Sequence, residues 1–169
     1  MAKEFFVPNI KGKFVAFCEG DDFWSNEKKL QMQYEVMSNF NLKASFHNTQ
    51  IVDEEGNEIK EKMYPPVEKN NILTQMGGIF PGRYMLYFLT SGNCYLHISS
   101  FMLDAEEYIK YETDKPEFTV ELNALGIGDC PLISYFAALE KTVYFPIAMS
   151  CYRNSHEGSF TYEMLKKMK

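Results

Sequence analysis

KGKFVAFCEGDDFWSNEKKLQMQYEVMSNF, residues 11–40, changes character twice along its length. Phe14, Val15, Ala16, Phe17 and Cys18 form a continuous apolar run. Such a run predicts a strand covered on both faces of a sheet, and it is too short for a buried helix. Glu19, Gly20, Asp21 and Asp22 then set three carboxylates at the C-terminal end of that strand. After Phe23 and Trp24, Ser25 is a good N-cap and Glu27 falls in the first turn of a helix. Leu30, Tyr34 and Met37 recur along it at helical spacing and predict its buried face. In open α/β sheets, ligands bind outside the carboxyl ends of the strands, where these acids stand.

Three acids this close raise one another's pKa unless a counter-charge is present. A hard divalent cation, Mg²⁺ or Mn²⁺, supplies one and commonly brings phosphate oxygens as further ligands. Glu19, Asp21 and Asp22 are therefore the candidate ligands. The plain alternative is an acidic turn lying in water before a helix, since short motifs match by chance.

Three ordered stretches add a resemblance. GKFVAFCEGDDFWSNEKKLQMQ at 12–33 resembles the segment around the DxD motif of the family 2 glycosyltransferases, inverting GT-A enzymes that use nucleotide sugars. FHNTQIVDEEGNEI at 46–59 and GDCPLISYFAALEKTVYFPIAMSCYRN at 128–154 are similar to later segments of that family, in the same order. The likeness covers most of the chain, with 60–90 matched only loosely. It implies an α/β fold, part of a GT-A domain with a mixed sheet flanked by helices, and residues 1–169 as one domain from the DxD motif onward. The family carries a nucleotide-binding βαβ half before this point, and Met1–Ile10 is too short to be one. The expectation is the acceptor-side half of such an enzyme, truncated or split, with a separate N-terminal half or a second copy of the chain as the candidate protein partner.

The implied reaction moves a sugar from a nucleotide-diphosphate donor to a hydroxyl of a growing surface glycan or lipid-linked glycan. Asp129, which opens a helix with Pro131 in its first turn, matches the position of the family's general base; a plain N-cap is the other reading. Arg153, beside Tyr152 at the end of an apolar strand, is the implied contact to the donor diphosphate. Trp24 could stack on the acceptor sugar or pack in the core. His156 could bring a nitrogen to the metal, but its spacing from Tyr152 is one residue longer than the usual form, which favours a solvated loop histidine. A rival function is a non-catalytic sugar-binding or scaffold remnant without turnover. A polymerase-like GDD site is disfavoured by the acidic charge.

The remaining features bound these readings. A length of 169 residues and 46% hydrophobic content suffice for a sizeable core. A net charge of −6 with no basic stripe argues against nucleic acid as a partner. Cys18, Cys94, Cys130 and Cys151 show no CxxC spacing and read as buried free thiols of a reducing compartment. No signal peptide or membrane span is read, so a cytoplasmic setting is expected. The basic end of a Thr161–Lys169 helix would meet either water or the inner face of a membrane. Strands are expected over Ala44–Val52, just after the Glu54–Asn57 turn, over Tyr95–Leu103 and over Thr142–Cys151. Helices are expected over Arg83–Thr90, Asp104–Tyr111 and from Asp129, with 63–82 a loop around a short helical piece at Ile72–Gln75. His47 reads as a hydrogen-bonded core histidine, with a polar contact in the cleft as the alternative.

Overall fold

The computed structural model describes residues 2–66, 76–90, 95–114 and 129–154. The expectations for Ile72–Gln75, Cys94, His156 and the Thr161–Lys169 helix lie outside them. Among the described residues there are seven strands: β1 (Phe14–Ala16), β2 (Phe23–Trp24), β3 (Ala44–Val52), β4 (Glu58–Tyr64), β5 (Gly78–Pro81), β6 (Met102–Asp104) and β7 (Lys141–Arg153). The helices are α1 (Lys29–Phe40), α2 (Gly82–Thr90), α3 (Ala105–Asp114) and α4 (Asp129–Ala138); a π-helical turn at Ala2–Phe6 runs into a 3₁₀ turn at Val7–Asn9, and a second 3₁₀ turn lies at Ile98–Ser100 before β6. The fold is α/β with a mixed sheet and flanking helices.

The sheet is built on one parallel pair. β3 and β7 run side by side from Ser45 against Val143 to Val52 against Arg153. Every residue of β3 is buried, as expected for a central strand covered on both faces. Along its other edge β3 takes β6 at its start and β4 at its end, both antiparallel. The outer edge of β7 takes β5 at its start and β2 near its end, again antiparallel. The carboxyl end of the parallel pair is therefore bracketed by β2 and β4. The core lies on Phe46, Phe101, Leu103, Phe136 and Tyr144, with Phe46 and Phe101 edge to face at 4.8 Å.

Several expectations change. β1 is an edge strand and only half-buried: it pairs with β6 alone, and pairing stops after Ala16, beyond which the Phe17 N–H still reaches Phe101 O. Ser25 does not cap α1. Its N–H bonds Met149 O instead, and Asn26 turns the chain by accepting from Lys28 N through Oδ1 and from Lys29 N through its carbonyl. The buried face of α1 is Lys29, Gln33 and Met37, while Leu30 and Tyr34 are 42% and 49% exposed. The helix ends at Asn41 in the left-handed region (φ 50°), with Leu42 N bonded to Met37 O. Residues 78–81, expected in a loop, form β5 because β7 offers them a free edge. The strand expected over 95–103 shrinks to β6, because Ser99 and Ser100 bond locally to His97 and curl the chain first.

Candidate functional site

The acidic loop lies between β1 and β2, at the carboxyl end of the parallel pair. Its shape is set by backbone bonds and by one serine. Asp22 N donates to Glu19 O at 3.2 Å and closes a turn. Ser99 Oγ accepts from Glu19 N at 3.1 Å and donates to the Asp22 carboxylate through Oδ2. Arg153, at the end of β7, fastens the loop from outside: Nε donates to Asp21 O at 2.9 Å and Nη1 to Glu54 O at 2.6 Å. Its guanidinium also lies 5.3 Å from the centre of the Phe23 ring. The residue read as a diphosphate contact thus ties the acid loop to the β3–β4 turn.

Among the described residues, the ligand atoms that converge come from Glu19, Asp22 and His97, all within 4.8 Å of one another. His97 Nε2 stands 3.5 Å from Glu19 Oε2, and Nδ1 stands 3.4 Å from Asp22 Oδ2. The Asp22 side chain is fully buried, and its Oδ1 has no hydrogen-bond partner among the described residues. A buried carboxylate oxygen left without a donor is costly, and a cation would satisfy it. Two carboxylates and an imidazole suit Mn²⁺ well and Mg²⁺ less well, because the nitrogen is the softer ligand. Asp21, read as a ligand from sequence, is exposed and outside this set.

The electrostatics reflect the crowding. Burial, followed by the charges of Asp129, Asp22 and Asp21, pushes Glu19 up to about 7. Burial pushes Asp22 up to about 6 against the opposing hydrogen bond from Ser99. Burial also holds His97 down to about 4, so its ring is neutral and able to ligate near pH 7. Asp129 opens α4, half-buried, and burial raises its pKa. Its charge is the leading electrostatic influence on Glu19, which puts both carboxylates in one neighbourhood.

Aromatic rings crowd the same place. His97 lies 4.5 Å from Tyr152, 6.2 Å from a nearly parallel Tyr64 and 6.5 Å from Tyr95, centre to centre. Trp24 points elsewhere: its Nε1 donates to Phe17 O at 3.1 Å, and the Lys29 ammonium covers its ring at 4.5 Å. The indole proposed for the acceptor is thus bound into the packing under α1. His47 is fully buried in β3 with Nδ1 bonded to Asn48 O, a core residue whose Nε2 has no partner among the described residues. Cys18 and Cys130 are free and exposed, against expectation, since one follows the end of β1 and the other sits on the outer side of the first turn of α4; Cys151 is free and buried.

Two parts of this site were invisible in sequence. His97 lies in a stretch that reads as a strand, and only its nearness in the chain to Ser99 and Ser100 hints at a turn. Tyr64, Tyr95 and Tyr152 come from separate elements, and no spacing links them.

No protein-family model matches the chain. An uncharacterized protein of Mycobacterium bovis and two of Mycobacterium tuberculosis are each 31% identical to it over 58 residues. The match spans 34% of this chain and 16% of each mycobacterial protein. Among the described residues no helix is long and apolar enough to cross a membrane.

Proposed function

We propose that the chain carries the chemistry of an inverting glycosyltransferase, moving a sugar from a nucleotide-diphosphate donor to a hydroxyl of a growing surface glycan. The observation behind this reading is the convergence of Glu19, Asp22 and His97 beside Asp129. Mn²⁺ or Mg²⁺ bound by the first three would neutralise charge on the departing diphosphate. Asp129 accepts the proton of the acceptor hydroxyl as the new C–O bond forms. The bond from the anomeric carbon to the phosphate oxygen breaks on the opposite face, and its electron pair leaves with the diphosphate. Burial suits Asp129 to the task, since a raised pKa makes a stronger base. Arg153 holds the acid loop in register and adds positive charge on the donor side.

The test uses the full chain with Mn²⁺ and a panel of nucleotide-diphosphate sugars. Asp129→Asn is expected to lower turnover about 10²-fold or more with donor affinity kept. Loss of donor affinity in that variant would make Asp129 a helix cap. A wild-type chain that binds no donor would favour the scaffold reading.

A further inference from the structure

Three tyrosines from three separate elements meet around His97. Tyr64 ends β4, Tyr95 precedes the 3₁₀ turn and Tyr152 lies near the end of β7. Tyr64 stands 4.9 Å from Tyr95 and 6.0 Å from Tyr152, ring centre to ring centre. Aromatic side chains that only fill a core are covered, yet Tyr95 is 40% exposed and the other two are half-buried. His97, around which the three rings stand, lies 3.5 Å from the Glu19 carboxylate. The rings therefore border the acid and histidine cluster on which the proposed transfer rests.

We propose that Tyr64, Tyr95 and Tyr152 form the wall of a subsite for the acceptor, and that its occupant is a neutral pyranose ring. This rests on the transferase reading and adds the class of acceptor to it. A pyranose offers one face of C–H groups, which packs on an aromatic ring, and a rim of hydroxyls. Glu19, 3.5 Å from His97 at the edge of the wall, can only accept hydrogen bonds when ionised, and sugar hydroxyls supply the donors. An anionic ring substituent would meet the Glu19 carboxylate beside His97, whereas a neutral sugar carries no such penalty. The alternative platform, Trp24, already has its ring covered by Lys29.

The experiment is saturation-transfer NMR on the full chain with a panel of neutral methyl pyranosides, and with UMP as the nucleobase control. Wild type is expected to saturate the ring C–H protons of at least one pyranoside. Tyr95→Ala should weaken that pyranoside about tenfold, while Tyr95→Phe, which keeps the ring face, should stay within about threefold. Nitration of Tyr95 in the wild-type chain by tetranitromethane should slow when the pyranoside is present, a measurement that needs no variant to fold. Binding of no pyranoside, equal affinity in Tyr95→Ala, unprotected nitration, or protection by UMP instead would each overturn the subsite. Mn²⁺ binding, followed by water-proton relaxation, is read in parallel and should not change in either variant. Its absence from wild type would sink the transferase reading, whereas its presence without pyranoside binding would sink the subsite alone.

Discussion

Glu19 and Asp22 hold protons unusually tightly, up to about 7 and about 6, so a cation and protons compete for the same oxygens. Affinity for Mn²⁺ should therefore rise from pH 5.5 to about 8 and level off above it, and calorimetry in buffers of different ionisation enthalpy should show proton release on binding. Asp22→Asn should abolish the rise in melting temperature that Mn²⁺ causes, whereas Asp21→Asn should keep it; equal loss in both would return Asp21 to the ligand set. A different residue, Lys29, is 1% exposed, and burial lowers its pKa to about 8. Its ammonium bonds Gln33 Oε1 at 2.7 Å, and Gln33 Nε2 passes the chain on to Ser45 Oγ and Ser100 O. Lys29→Met keeps most of the stem and should cost about 1–2 kcal/mol; Lys29→Ala, which also empties the space, should cost about 2–4 kcal/mol in urea unfolding. The same burial turns a face of α1 inward other than the one that Leu30 and Tyr34 predict. A lysine and a glutamine look like a solvent face, and only the Trp24 ring above and the polar groups below make them interior.

The elements themselves were more legible than their surroundings. The Ala44–Val52 run, the turn after it, the helix from Arg83 and the helix opened by Asp129 all stand close to where apolar patterning puts them. What failed were edges and short pieces, which depend on partners far away in the chain. β1 reads as central from its apolar run yet lies at an edge, and β5 is a strand only because β7 is there to pair with it. One close approach between elements gives a sharp test. The start of α2 abuts the end of α4, where Gly82 N donates to Glu140 O. A Cβ at Gly82 would fall 2.1 Å from Leu139 O, with Ala138 O and Ala137 O at 2.7 and 2.8 Å. Those are backbone atoms that cannot step aside as a flexible side chain could. Gly82→Ala should then destabilise the fold by about 3 kcal/mol or more, against about 1 kcal/mol gained by alanine in an unhindered helix. Unchanged stability in urea would show that α2 and α4 part easily.

For the whole molecule, stability against pH is a contest between a buried histidine and the crowded acids of the loop. Burial holds His47 down to about 3 from an ordinary 6.5, so its neutral form supports the fold above pH 6.5, and that support is lost as pH falls toward 3. Glu19 and Asp22 act the other way. Their raised values mean that the fold gains stability as pH drops through 7 and 6, down to the ordinary carboxylate range. His47→Gln should therefore flatten the acid limb between pH 6 and 4, and Glu19→Gln should remove part of the opposing slope between about pH 7 and 4.5, both read from urea midpoints. Identical profiles for wild type and both variants would contradict these environments.

The pairing of β3 with β7 has a kinetic consequence. Ser45 finds Val143 roughly a hundred residues along the chain, and the acid loop is clamped by Arg153 from the far end of that same late strand. Contacts this remote in sequence form slowly, because the intervening chain must first surrender its freedom. Refolding followed by stopped flow should show helix signal early and the single indole's emission change late, as β2, which carries Trp24, docks on β7. The acids would then meet His97 only near the end of the process, which makes capture of Mn²⁺ a clock for its last step.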